Sequence, residues 1–290
     1  MNDIRSIRKP AVAGLFYPRG RDALAAEIDQ MIDAADSTEP PEGQVRVLVS
    51  PHAGYRYSGQ IAANGYKLIR GREFHTVVVI SPSHVEHFGF SAVYDGGGYE
   101  TPLGVAPTSQ ALSARLSTLN EQVRKSGNGH IQDHLPRQEH ALEVQIPFLQ
   151  RSLESFELVA VVMGDQNWDN CKALGEALEV LVADPGVLIV ASTDLSHFYD
   201  ADRADRLDRE FREILCTLDT RALYDAVNDG RCEACGAGPV IASLLATEGL
   251  SDRTCTSITH KNSGDVTGDF SSVVGYLSAA VIAPVETRFG

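Results

Sequence analysis

No stretch of this chain is apolar for long enough to cross a bilayer. The longest, Val273–Pro284, runs for about 12 residues and is broken by Gly275 and Ser278, where a spanning helix needs roughly 20. The N-terminal MNDIRSIRKPAVAG carries charge but no apolar run behind it, so a cleaved secretory leader is not expected. Cysteine is scarce and odd in number: five, at 171, 216, 232, 235 and 255, among 290 residues. That excludes a disulfide framework and makes the cytoplasm the expected compartment. Basic charge is short as well. Lys and Arg total 25 against 39 Asp and Glu, a net charge of -14, and sequence-independent nucleic-acid binding needs the opposite balance. The glycines at 54 and 59 and at 96–98 lack GxGxxG or Walker spacing and read as turns. Ser50, Ser58 and Ser83 lie in no G-x-S-x-G elbow, which disfavours a serine hydrolase. There is no HExxH, no internal repeat and no low-complexity tract.

What is present is a globular composition, 43% hydrophobic and 22% charged, and a recurring unit of apolar run, break and helical pattern. The runs are Val45–Ser50, Thr76–Ser81, Leu158–Met163 and Val187–Thr193. Helical patterns follow at Gln60–Arg70, Asn170–Val182 and Ala201–Leu215. Near-continuous apolar runs are strands covered on both faces, and their alternation with helices predicts βαβ units. Further strands are expected at Thr254–Lys261 and Ser271–Ile282, and an early helix at Asp22–Ala35. A polar linker should span 36–43, and a surface loop 120–137. Glu139–Leu149 is ambiguous between helix and strand up to Pro147. The expected architecture is one α/β domain over residues 1–290, with a central mixed, largely parallel sheet and helices on both faces.

Three of the runs end directly on residues of chemical value: Pro51–His52, Pro82–Ser83–His84, and Asp194–Leu195–Ser196–His197. In open α/β sheets ligands bind outside the carboxyl ends of the strands. Parallel strands would therefore bring these residues into one cleft, where imidazole and carboxylate together suit iron, zinc, copper or manganese. A single strand-end histidine is more often structural than a ligand, about three times in four; three such ends shift the balance towards a functional cleft. His140 reads equally as a cleft acid/base or a surface cap. Cys232 and Cys235 form a lone C-x-x-C, too little for a structural zinc site. Cys235 stands before the helical stretch Val240–Thr247 and reads equally as a thiolate ligand or a small buried residue in a Gly-rich turn. His75, His87, His130, His134 and His260 are expected to be structural or exposed.

The segments RKPAVAGLFYP (8–18), SPHAGYRYSG (50–59), SPSH (81–84), EHALEVQIPFL (139–149), STDLSH (192–197), CGAGP (235–239) and DFSSVVGY (269–276) resemble the Memo family, also called AmmeMemoRadiSam system protein B. The matches run in order along essentially the whole chain. The resemblance implies a fold similar to class III extradiol dioxygenases, which bind non-haem Fe(II) through two histidines and a carboxylate. In the Memo family a cysteine replaces the carboxylate. Carried over, the implied metal ligands are His52, His84 and Cys235. Asp194, His197 and His140 would line the same cleft as catalytic groups, with His197 or His140 as acid/base. A thiolate makes the site softer and favours copper or zinc more than an oxygen ligand would. Bacterial and archaeal members imply a pathway shared with a radical SAM protein and an AMMECR-type protein. Eukaryotic members look like signalling factors that bind phosphorylated receptor peptides.

Three functional expectations follow. The first is a metal-dependent oxidoreductase with iron or copper, acting on a small molecule. The second is a binding module without catalysis, in which His52, His84 and Arg56 grip an anionic ligand or phosphopeptide. The third is a zinc hydrolase completed by Asp194. No membrane or nucleic-acid partner is expected.

Overall fold

The computed structural model describes residues 6–36, 42–132, 135 and 137–284. Most of the expected polar linker (37–41) and His134 lie outside these residues. In chain order the first half holds β1 (Ile7–Arg8), α1 (Arg21–Ala34), β2 (Gln44–Ser50), α2 (Tyr55–Tyr66), β3 (Thr76–Pro82), β4 (Ser91–Val93), β5 (Gly98–Thr101), β6 (Gly104–Pro107), α3 (Gln110–Leu119) and β7 (Val123–Lys125). The second half holds α4 (Ile146–Ser152), β8 (Glu157–Met163), α5 (Trp168–Val182), β9 (Val187–Ser192), β10 (His197–Tyr199), α6 (Ala201–Thr217), α7 (Thr220–Asn228), α8 (Ala237–Ala246), β11 (Thr254–Asn262), α9 (Gly264–Thr267) and β12 (Val273–Ala283).

The four apolar runs become β2, β9, β3 and β8, four parallel neighbours at the middle of a nine-stranded sheet ordered β10-β12-β2-β9-β3-β8-β4-β7, with β11 paired to β12. Outside that parallel centre the pairing changes. Strand β12 runs antiparallel to β2, β10 and β11, and β4 runs antiparallel to β8. The expected mixed α/β architecture is the one observed, with four parallel strands at its centre and one further parallel pair, β4–β7, at its edge. A small sheet, β1-β5-β6, sits beside it.

Side chains alternate across these strands, as a period of two requires. On β3, Val77 and Val79 join one core while Val78 and Ile80 join the other. On β8, Leu158, Ala160 and Val162 oppose Val159, Val161 and Met163. Helices α1, α2 and α4 cover the first face with Leu24, Ile28, Tyr66 and Phe148. The second is covered by α5, α6, α7 and α8, through residues such as Leu174, Phe211, Leu223 and Val240. Strands buried on both faces carry no polar alternation, which is why they read as continuous apolar runs.

Several expectations need correction. The segment expected as a surface loop (120–137) contains β7 and two fully buried side chains, His130 and Gln132. Helix α2 begins at Tyr55, not Gln60, and Gly59 lies inside it; a Cβ there would meet the Met31 sulfur at 2.7 Å. Gly98 opens β5 instead of closing a turn. The ambiguous EHALEVQIPFL resolves as a short 3-10 turn leading into α4, with Pro147 in the first helical turn, where its missing N–H costs nothing. Among the described residues no helix is long and apolar enough to cross a membrane.

Candidate metal centre

Strand β9 lies between β2 and β3, and all three run the same way, so their carboxyl ends share one edge. From that edge β2 delivers His52, β3 delivers His84, and β9 delivers Asp194. The fourth contributor arrives from far along the chain. Cys235 sits in the turn before α8; its N–H donates to the Asp194 carbonyl (3.2 Å), and the Gly236 N–H donates to Thr193 Oγ1 (2.9 Å). A Cβ on residue 236 would lie 2.2 Å from the Ser192 carbonyl oxygen. Only glycine lets this turn approach the strand end, and that approach brings the Cys235 sulfur over the sheet.

One ligand atom each from His52, His84 and Cys235 lie within 4.8 Å of one another, and the Cys235 Sγ is 3.1 Å from His52 Nε2. The outer nitrogen of each imidazole is spoken for. The Ser192 hydroxyl donates its one proton to the Ala141 carbonyl (2.7 Å). Toward Gln145 Nε2 and His52 Nδ1, both at 2.9 Å, it can therefore only accept. His52 thus carries its proton on Nδ1 and turns a bare Nε2 lone pair towards the cysteine. His84 Nδ1 lies 3.1 Å from Glu139 Oε1. That carboxylate also accepts the backbone N–H groups of His84, His140 (2.8 Å) and Ala141 (2.9 Å). A carboxylate behind an imidazole fixes its tautomer and strengthens it as a donor. The chemistry of this set fits a soft or borderline cation: the bare His52 nitrogen, a His84 nitrogen whose proton a cation would displace, and one sulfur.

The electrostatics follow from burial and from these partners. Burial alone would raise the Glu139 carboxyl, but the His84 hydrogen bond and charge, with His140 and the Ala141 N–H, hold it at about 2. Burial opposes charge on His84, yet its contacts with Cys235 and Glu139 lift it to about 10 in the metal-free chain. Burial pushes the Cys235 thiol up, against the pull of His84. His52 is driven well below its ordinary value by burial, then by the neighbouring histidine charges.

The expected cleft groups distribute unevenly. His140 stacks on His84 with ring centroids 5.3 Å apart and meets His52 edge-on at 5.7 Å; burial lowers its pKa against the pull of Glu139. Asp194 lies in neither donor cluster found among the described residues. Its Oδ1 accepts the His52 backbone N–H (2.8 Å), its own N–H points at the Cys235 sulfur (3.2 Å), and burial raises its carboxyl to about 7. His197 stands half-buried on β10, lowered by burial against a hydrogen bond to the Leu195 carbonyl. Cys232 is fully buried and belongs to no donor cluster found among the described residues.

In the sequence Glu139 stands out only as the first residue of EHALEVQIPFL. It is 2% exposed, and with His84 and His140 it forms a second group of close donors. A charged residue directly before a strongly apolar segment was the available signal. Arg8 holds this side together. Its guanidinium donates to the Glu139 and His130 carbonyls and to Glu143 Oε2 (2.6 Å). Glu143 in turn accepts Tyr17 Oη and the N–H groups of Ala11 and Val12. The N-terminal segment is thereby pinned over the cleft, where it walls a cavity of about 790 Å³ lined by Val12, Phe16, Val85 and Arg137, with His84 and His140 on its inner side.

The fold and this cluster define an α/β protein with a two-imidazole, one-sulfur donor set at the carboxyl edge of its parallel strands. The sequence profile described as Memo-like protein matches residues 8–280. MEMO1 family protein Ta0237 of Thermoplasma acidophilum is 35% identical over 278 residues, covering 96% of this chain and 99% of its own. A MEMO1 family protein of Thermotoga petrophila is 38% identical over 282 residues, 94% and 98% of the two chains. Among solved structures, the uncharacterized protein JW3007 from Escherichia coli K12 superposes with a TM-score of 0.52 at 18% identity, covering 83% of this chain and 100% of that one; the likeness is one of fold. The chain belongs to the Memo-like family.

Proposed function

We propose that this chain is a metal-dependent redox protein, holding one iron(II) or copper ion on His52 Nε2, His84 Nε2 and Cys235 Sγ and acting on a small molecule in the adjoining cavity. The observation that carries this reading is the convergence of three donor atoms within 4.8 Å, two of them on imidazoles whose other nitrogens are engaged by Ser192 and Glu139. Such an ion would supply electron transfer and activation of oxygen or of a bound organic ligand.

The chain's own residues then have distinct tasks. Glu139 and Ser192 hold the ligand imidazoles in one tautomer. His140, neutral near pH 7 and facing the cavity, is placed to take a proton from a bound molecule. His197 is the alternative acid/base on the β10 side. Asp194 orients the His52 backbone and the Cys235 turn from behind. The cytoplasm as working compartment, and a pathway shared with a radical SAM protein and an AMMECR-type protein, belong to the same reading; co-purification with tagged chain tests those partners.

The experiment is metal analysis of anaerobically purified protein. About one redox metal per chain is expected, with a thiolate charge-transfer absorption, and both should vanish in His52→Ala. A well-folded wild-type chain that takes up neither iron nor copper when supplied would sink the reading. Stoichiometric zinc with oxygen-independent hydrolysis would replace it.

A further inference from the structure

Away from the cleft, at the far edge of the sheet, two more cysteines face each other. Helix α6 packs along β11. Asp208, Arg212 and Cys216 fall at i, i+4 and i+8 on α6, one stripe about 12 Å long. One end of that stripe is fixed: buried Asp208 accepts from His260 Nε2 on β11 at 3.0 Å. Counting back along β11, Cys255 lies five residues from His260, about 16 Å of strand, shortened by the irregularity between Ser257 and Thr259. Thr254 and Thr256 point outward and Cys255 inward, towards the helix. A second anchor fixes the sense: the Ala201 N–H at the start of α6 donates to the Phe270 carbonyl, and Asp208 packs against Gly275, the partner of Asn262 at the far end of β11. Helix and strand therefore run in opposite senses, and α6 carries Cys216 towards Ser257 and Cys255, within interaction range of both.

Their surroundings differentiate them. The Cys255 hydrogen bond, the Ser257 N–H and the Arg212 charge bring the Cys216 thiol down to about 7 against desolvation, while Cys255 is pushed up by Cys216 and by burial. Arg212 Nε is itself buried without a partner, an unspent donor one helical turn from the sulfur. Both cysteines are only half-buried, so a small solute can reach them, whereas Cys171 and Cys232 are sealed in the core.

We propose that Cys216 and Cys255 form a peroxide-sensitive dithiol that closes to an intramolecular disulfide between α6 and β11. The Cys216 thiolate attacks one oxygen of a hydroperoxide. The O–O bond breaks, and hydroxide (or alkoxide) leaves with the electron pair, taking a proton to become water or alcohol. The Cys216 sulfenic acid formed is attacked by the Cys255 sulfur. The S–S bond forms and the sulfenic oxygen departs as water with the Cys255 proton. Two thiols are oxidised by two electrons and one hydroperoxide is reduced; an external dithiol reverses it.

The test uses the full chain and hydrogen peroxide at one to a few equivalents, followed by alkylation, digestion without reduction and mass spectrometry. A Cys216–Cys255 linked peptide is expected, with about two of the five thiols lost and recovered on dithiothreitol treatment. Cys255→Ser should leave a sulfenic acid on Cys216 that dimedone captures. Cys216→Ser should slow oxidation at Cys255 by about tenfold or more. Cys235→Ser should still form the link, which keeps this dithiol separate from the proposed metal centre. The idea is overturned if folded protein retains both thiols, if Cys216 and Cys255 react no faster than buried Cys171, or if the linked peptide joins either one to Cys235.

Discussion

On the β2–β9 side of the cleft His52 is 2% exposed and leans on neutral groups, the Ser192 hydroxyl and behind it Gln145. On the β3 side the His84 side chain keeps 32% of its surface and leans on the ionised carboxylate of Glu139, whose backbone carbonyl accepts from Arg8. The two imidazoles face the same sulfur, but one half of the site is dry and neutral while the other is charged and opens on the cavity. On the proposed reading the difference would separate holding from exchange: the neutral half would set geometry at little electrostatic cost, and the charged half would meet whatever enters.

That contrast can be broken from either side. Arg8→Ala leaves Glu143 buried with no cation, and losing one partner of a buried pair costs about 3–5 kcal/mol; urea unfolding should show a destabilisation of that order. Glu139→Gln removes the carboxylate behind His84 and should weaken metal affinity about 10–100-fold, read by competition with a chelator. Ser192→Ala acts on the neutral half. Affinity should fall by no more than about tenfold, while the Ala141 carbonyl, left without its donor, lowers stability by about 1–3 kcal/mol; Gln145 keeps its bond to the Pro51 carbonyl. If Ser192→Ala loses more metal affinity than Glu139→Gln, the two halves have been assigned the wrong way round.

The last test uses acid. Burial depresses His130 to about 3, against an unfolded value near 6.5. The unfolded chain therefore takes up this proton first. The stability involved is present above about pH 6.5 and drains away as pH falls towards 3, by up to about 1.4 kcal/mol per pH unit. Urea unfolding between pH 7 and 5 should show a steeper loss for wild type than for His130→Gln.

How much of this was legible in the sequence depends on length and distance. Strands β2, β3, β8 and β9 were visible because burial on both faces leaves an unbroken apolar record. Strand β4 (Ser-Ala-Val) and strand β7 (Val-Arg-Lys) are three residues each, too short to show a period, so the segment around β7 read as loop. The convergence of His52, His84 and Asp194 on one edge could be inferred from their places after parallel strands. The docking of Cys235 could not: nothing local to CGAGP says which strand end its glycine must touch. Nor did the sequence reveal that Asp194 spends an oxygen on a backbone N–H, or that Glu139 stands behind His84, since those are contacts across 142 and 55 residues.

The turn at Gly236 has a consequence for how the molecule is made. Cys235 and His52 are 183 residues apart, and they meet only when α8 has docked on a strand end that β2 and β3 already flank. No fragment shorter than residues 52–235 contains the chelating set, and closing so long a loop costs entropy before any contact repays it. A metal ion therefore cannot nucleate this fold as it does a zinc finger. On the proposed reading loading would come last, and the ion would report, chain by chain, that folding had finished.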